Sequence, residues 1–240
     1  MRPLIIIVMS FICLKPLPSL AWDLKDFAEE AASPANTDAK YVLVAGASAT
    51  IFLAVFQRQI GDPFDEQQVR AKPLGDSSRW GDLMGQMVPN ILYIGGMSLA
   101  GSLDQPKGYE RALGMFKATA YSSAVTTVLK YTIQEPRPND HSTRNSFPSG
   151  HSTTVFAFSG FVTAEHGWGW GAPALLLSAF TGFSRINDNK HRLHDVIAGA
   201  TIGWAYGQAI SRKMAKSENQ AYIMPILDSQ TAGVSLYKEF

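Results

Sequence analysis

The sequence predicts an all-α fold, a bundle of six helices, and three observations carry that prediction. Six apolar segments follow one another between Tyr41 and Ile210, none with sustained period-2 alternation, so strands are disfavoured. Each segment is rich in Ala, Gly, Ser and Thr, the composition that lets helix backbones approach closely. Gly- and Pro-punctuated stretches separate them.

Taken in order, the chain opens with Arg2, the apolar run Leu4 to Leu14, and a breaker-rich tail with Ser19 and Ala21. This reads as a secretory signal over residues 1–21, cleaved after Ala21, because the run is too short for a comfortable membrane span. Cys13 is the single cysteine and lies inside it, so the mature chain has no thiol for disulfides, nucleophilic catalysis or metal ligation. The residues before Cys13 lack the small side chain that a lipid-anchor signal wants. Residues 22–40 form a polar N-terminal segment, a short helix and a linker ending near Pro34. The bundle occupies residues 41–218. Its segments are Tyr41 to Gln57, Leu83 to Leu103, Ala112 to Ile133, Thr153 to Ala164, Trp170 to Phe183, and Val196 to Ile210. The charged connector from Arg58 to Gly81 reads as a loop or surface helix. Residues 219–240 are a tail that is either a short strand or irregular.

Several segments are free of Asp, Glu, Lys and Arg over a spanning length of about 17–21 residues. Lys117, Gln86, Pro89 and Asn90 interrupt others, and the mean hydropathy is only −0.02. A cleaved signal places the mature N-terminus outside, whereas Arg212, Lys213 and Lys216 after segment six favour a C-terminus inside. Six crossings cannot satisfy both. Either an early segment does not cross, or the signal is of another kind, or the bundle is a globule on or off the membrane. Span length tips the expectation to a membrane-embedded bundle. The net charge of +1 offers no surface for nucleic acid. Oligomeric state is not readable.

Three stretches carry chemistry. In "KYTIQEPRP", Lys130 ends an apolar helix and Arg137 follows in a rigid turn closed by Pro138. Basic groups at an apolar rim either snorkel to an interface or pair with an anion. In "NSFPSGHSTT", Ser149, Gly150 and His151 stand at the start of a helix. Free N–H groups and the positive dipole end make an anion site there, or the stretch is a plain cap with an incidental histidine. His151 has no carboxylate beside it in sequence and can serve as a proton donor. In "SRINDNKHRLHD", His191 and Asp195 are four apart and share a face of a helix start. The carboxylate would fix the imidazole tautomer and leave the other nitrogen as nucleophile. Arg185 is a fork donor suited to phosphate oxygens. His194 is a rival nucleophile that points elsewhere, and Asp188 and Lys190 read as solvated loop charges. Zinc is set aside, since no third ligand cluster accompanies the histidines.

In order and spacing together, the three stretches resemble the type 2 phosphatidic acid phosphatase superfamily. That group also contains bacterial class A acid phosphatases and vanadium haloperoxidases. The signature side chains are Lys130, Arg137, Pro138, Ser149, Gly150, His151, Arg185, His191 and Asp195, all present. The run after Asp195, "VIAGATIGWAYG", is similar to the family's final helix. The resemblance implies the six-helix bundle of that type. It also implies a phosphate cradle of Lys130, Arg137, Arg185, Ser149 and the Gly150 amide. His191 would be the nucleophile through a phosphohistidine, Asp195 its partner, and His151 the proton donor, with no metal or other cofactor. The spacing of His191 and Asp195 and the apolar helices lean towards a phosphorylated lipid substrate, a monoester or pyrophosphate, at the periplasmic face of an inner membrane. A soluble periplasmic acid phosphatase is the alternative, a vanadate-binding haloperoxidase a remote one, and a non-catalytic envelope protein a third. Head-group contacts are expected in loops such as Arg58 to Asp82, with His141 and Arg144 as further candidates against a plain solvated role.

Overall fold

The computed structural model describes residues 24–105, 107–218, 222–228 and 231–237. The expected signal over residues 1–21, with Cys13, lies outside these residues. Ten helices are α1 (Leu24–Ala31), α2 (Ser33–Asn36), α3 (Ala39–Val55), α4 (Asp62–Ala71), α5 (Ser78–Gly85), α6 (Val88–Ser102), α7 (Gly108–Ile133), α8 (Gly150–His166), α9 (Trp168–Asn187) and α10 (Leu193–Glu218). The fold is all-α, and the six longest helices, α3 and α6 to α10, correspond to the six apolar segments. The tail forms an antiparallel hairpin, β1 (Tyr222–Asp228) with β2 (Thr231–Tyr237), Tyr222 opposite Tyr237.

One sequence expectation is corrected. The second segment does not run unbroken from Leu83. Gly85 ends α5, Met87 takes a left-handed conformation (φ 67°), and α6 starts at Val88 with Pro89 in its first turn. A proline in the first helical turn forfeits no hydrogen bond, so the break falls there. Of the two readings of the connector from Arg58, loop or surface helix, the helical one describes most of it: a π-turn, α4, a 3₁₀ turn and α5.

The core forms where α7, α8 and α10 meet. Met115, Ala118, Tyr121, Phe161, Val162, Ala174, Tyr206 and Ile210 make one buried cluster. Phe161 is fully buried, and such a side chain contributes roughly 1.5–3 kcal/mol. The tightest contact is between α8 and α10. Gly199, Gly203 and Gly207 recur every fourth residue on α10, so they lie on one stripe. A Cβ at Gly203 would overlap the Thr153 carbonyl, and one at Gly199 the Ser149 carbonyl. Only hydrogen fits, and the first turns of α8 and α10 are thereby brought side by side.

Several polar groups inside this core tie helices together, although Asn90 Oδ1 and Thr181 Oγ1 find no partner among the described residues. Buried Asn90 donates to Thr119 Oγ1 (2.8 Å) and to the Thr154 carbonyl (3.1 Å), tying α6 to α7 and α8. Lys117, the charge inside the third apolar segment, meets Glu30 of α1 at 2.6 Å, and Tyr121 donates to the same carboxylate at 2.9 Å. The polar N-terminal segment thus supplies a carboxylate to a half-buried cation of α7.

Among the described residues no single helix is long and apolar enough to cross a membrane. Ala39–Val55 and Gln57–Ala71 reach that length and composition only together, and they are bent by 81°. Large apolar side chains are nevertheless exposed on α3, among them Tyr41, Val44, Ile51, Phe52 and Val55, and on α6, where Ile91, Leu92 and Leu99 face outward.

Candidate active site

One end of the bundle collects the C-terminal ends of α7 and α9 and the N-terminal ends of α8 and α10. Two positive helix ends therefore converge there. Ser149 caps α8: its backbone is extended (φ −69°, ψ 113°) and its Oγ accepts from Ser152 N at 3.4 Å. Its own N–H donates to the Asp195 carbonyl at 3.0 Å, stitching the α8 cap to α10. A Cβ on Gly150 would meet nothing nearer than Lys130 Cε at 3.9 Å, so the space beside its Cα is open.

All eight predicted site residues come to this end. Lys130, near the end of α7, donates from Nζ to the carbonyls of Asn145 (2.6 Å) and Ser146 (3.3 Å). Burial foremost, then Arg137, pushes its pKa down to about 8, with Asp195 opposing. Arg137 donates from Nε to Asn145 Oδ1 at 2.7 Å. Arg185, at the end of α9, is almost fully buried. Its guanidinium reaches Ser184 Oγ (3.2 and 3.1 Å), Asp82 Oδ1 and Asp188 Oδ2 (3.4 Å). Asp188 is thus no solvated loop charge: the turn after α9 folds it back onto its own arginine.

His191 precedes α10 instead of riding on it, since the helix begins at Leu193. Asp195 reaches back from the first turn. Its Oδ2 accepts from Ser146 Oγ (2.6 Å) and Arg192 N (2.9 Å) and lies 3.4 Å from His191 Nδ1. Burial acts to raise the Asp195 pKa, but His191, His194 and Ser146 hold it below the ordinary value. His191 is pulled the other way: burial lowers its pKa, Asp195 opposes, and Lys130 and Arg137 add to the fall. A buried, neutral imidazole with Nδ1 directed at a carboxylate leaves Nε2 as a nucleophilic lone pair.

His151 departs from its sequence reading. It has no acid beside it in the chain, but α5 brings Asp82 Oδ1 to within 3.3 Å of its Nε2. The partner comes from the connector, far off in sequence. Burial foremost, then Arg185, depresses the His151 pKa to about 4, while Asp82 raises it and His191 and Arg137 lower it.

Three more side chains belong to the site that spacing did not single out. Ser146 supports Asp195. Glu135 accepts from Arg192 Nη1 at 2.7 Å and lies 3.1 and 3.2 Å from His194 Nε2. Asp82 pairs with Arg185 and His151. Glu135 and Ser146 sit inside the quoted motifs, while Asp82 closes the connector in which only head-group contacts were expected. His194 is buried against Glu135 and stacked on Phe147, ring centroids 5.9 Å apart, so it points away from the nucleophile's place. Glu135, His194 and Asp195 also offer ligand atoms within 4.8 Å of one another. The third acidic partner absent from the sequence reading is therefore present in space. Its contacts to His194 are those of an imidazole hydrogen-bonded to a carboxylate.

Beside the site a cavity of about 230 Å³ is lined by Asp62, Asp65, Glu66, Val69, Arg70, Pro138, His141, Asn189 and Arg192. Asp65 within it accepts from Leu193 N at 3.3 Å, and burial raises its pKa to about 6. His141 therefore faces a cavity next to the site, while Arg144 is exposed.

Comparison with known proteins finds a family model and curated relatives. Residues 111–218 match the family model of the PAP2 superfamily. The chain is 36% identical over 101 residues to the lipid A 1-phosphatase of Porphyromonas gingivalis, covering 40% of this chain and 21% of that protein. It is 30% identical over 90 residues to the lipid A 4'-phosphatase of Helicobacter pylori, covering 38% and 44%. The chain thus spans less than half the length of either curated relative. No solved structure shows a significant match.

Proposed function

The chain carries the PAP2 superfamily region over residues 111–218, and from that premise we propose that it is a metal-independent phosphatase acting on a phosphorylated lipid of the bacterial cell envelope. One observation carries the reading. The His191–Asp195 pair lies at the same bundle end as the Lys130, Arg137 and Arg185 cations and the open space beside Gly150 at the start of α8. A phosphoryl group there meets donors on several sides and a neutral imidazole nitrogen on another.

In this mechanism the cations and the Gly150 and Ser149 donors hold the phosphoryl oxygens, while His191 Nε2 attacks phosphorus in line. The P–O ester bond breaks as the P–N bond forms, and His151 gives its proton to the leaving oxygen. His151 then takes a proton from water, whose oxygen attacks phosphorus and frees His191. Charge neutralisation comes from side chains, which removes the need for a metal to do it. Lipid phosphate as substrate is supported by the two relatives, whose names give lipid A as theirs. The exposed apolar faces of α3 and α6 suit a protein held at a bilayer, with the site at the periplasmic surface of the inner membrane. A second reading, a soluble periplasmic phosphatase for small esters, draws on the lack of a single membrane-length helix among the described residues.

The test is phosphate release in EDTA by detergent-purified protein, comparing lipid A with p-nitrophenyl phosphate and wild type with His191→Ala. Lipid turnover in chelator, abolished in the variant, is the expected result. Turnover of the small ester alone shifts the assignment to the second reading. Persistence of activity in His191→Ala defeats the mechanism.

A further inference from the structure

Helix α5 is set into the site by two close approaches. Gly81 lies against Ser184 and Gly85 against His151, and a Cβ at either glycine would overlap that neighbouring side chain. Thr154 Oγ1 donates to the Gly85 carbonyl at 2.9 Å, holding α5 to α8. Asp82 stands between these glycines, one turn of the helix, on the part of α5 they hold against the site, with its side chain 46% exposed. Its Oδ1 is hydrogen-bonded by Arg185 and lies 3.3 Å from His151 Nε2, and its Oδ2 accepts from Gln86 at 3.2 Å. His151 Nε2 is shielded from solvent and has no hydrogen-bond partner. Asp82 is the acid that faces it.

We propose that Asp82 is a positioning residue for proton transfer, the carboxylate partner of His151 as Asp195 is the partner of His191. The proposal rests on the phosphatase reading for its kinetic consequence but not for the pairing itself. Once a proton on Nε2 is shared with Asp82 across that 3.3 Å, the proton given to the leaving oxygen is the one on Nδ1. As the P–O bond breaks, that proton passes to the ester oxygen, and Nδ1 recovers one from water in the second step. Asp82 stays ionised throughout and offsets the cations and imidazole set around His151, namely Arg185, Arg137 and His191. Burial and these groups favour the neutral ring, and Asp82 is the group that opposes them, easing the gain of the second proton that the transfer requires. The site then holds two imidazole–carboxylate pairs, one serving the attacking atom and one the departing one.

The test is Asp82→Asn, with Asp82→Ser as a second variant should the first not fold. Two readouts are needed. The first is NMR titration of histidine-labelled protein, with the His151 resonance assigned by His151→Gln. The His151 midpoint should fall by about one unit in the variant, the direction expected on losing a nearby carboxylate. The second is kinetic. Against an alkyl phosphate, whose leaving oxygen needs a proton, kcat should drop by roughly tenfold or more. Against p-nitrophenyl phosphate, whose leaving group needs none, kcat should stay within about threefold. An unmoved His151 midpoint overturns the pairing. Equal losses on both esters overturn the proton-transfer role and make Asp82 a support for Arg185 alone. Should wild type release phosphate from neither ester, the phosphatase reading fails, while the titration still decides whether Asp82 is the partner of His151.

Discussion

Asp195 is a fully buried carboxylate surrounded by donors, and its ionisation depends on them. Ser146 Oγ, Arg192 N and His191 Nδ1 share Oδ2, while His194 Nε2 lies 3.3 Å from Oδ1. Removing the 2.6 Å Ser146 bond leaves the charge under-solvated, which costs about 1.5–3 kcal/mol for a hydrogen bond to an ionised group. The folded pKa of Asp195 is depressed. The stability it contributes is therefore present above its unfolded pKa and lost as pH falls through the folded one. Ser146→Ala raises the folded pKa, so the variant should be less stable at pH 7 and should begin acid unfolding at higher pH. Circular dichroism followed from pH 7 to pH 2 checks both, and an unchanged acid midpoint would mean that Ser146 does not support the charge. Ser146 lay in plain view in "NSFPSGH". What hid its role is that a serine makes local caps far more often than it reaches an acid 49 residues away. The motif residues were readable because their spacing is rigid within each stretch. Asp82 was not, because nothing in a linear pattern says which connector charge a helix will carry to the site.

Helices hold these side chains in place through contacts that spacing only half announces. The apolar segments located the six long helices, since composition and the absence of alternation are local properties. Their ends were less legible. Segment two broke at Met87 because a first-turn proline and a left-handed residue decide the boundary, and the connector, left open between loop and surface helix, is helical where α4 and α5 pack on α9. The α8–α10 seam is the element on which the site depends, since it sets the α8 cap beside Asp195. Gly203→Val would force its side chain into the Thr153 carbonyl, which cannot retreat without moving the first turns of α8. Overpacking typically costs about 1–3 kcal/mol, and a backbone obstacle puts this case at the upper end. The expected outcome is a Tm lower by several degrees with kcat reduced, read by thermal unfolding and by hydrolysis of p-nitrophenyl phosphate. A variant with wild-type Tm and activity would show that the seam can open without cost to the site.

At the scale of the whole molecule the open question in the sequence was its relation to the bilayer, and the structure recasts it. Membrane length was sought within single segments, yet among the described residues the only bent pair that reaches it turns through 81° at the π-turn after α3. Apolar exposure instead spreads over several helices. On α3, Val44, Ile51 and Val55 recur at helical spacing, each roughly two-thirds exposed, and on α6 Leu92 and Leu99 do the same. Contiguous apolar surface of this kind is costly in water and marks a partner or a lipid. Lys117, the charge that argued against a membrane in the third segment, is neutralised by Glu30 and no longer counts against one. If these faces meet lipid, replacing Val44, Ile51 and Val55 together by Ser should weaken association with anionic vesicles by at least about tenfold, since each apolar side chain withdrawn from water contributes on the order of 1 kcal/mol or more. The core lies on the other side of α3, so the Tm in detergent should change little. Vesicle flotation and unfolding in detergent distinguish the outcomes. Loss of flotation with an intact Tm places α3 against the bilayer, and unchanged flotation removes α3 from the membrane-facing surface.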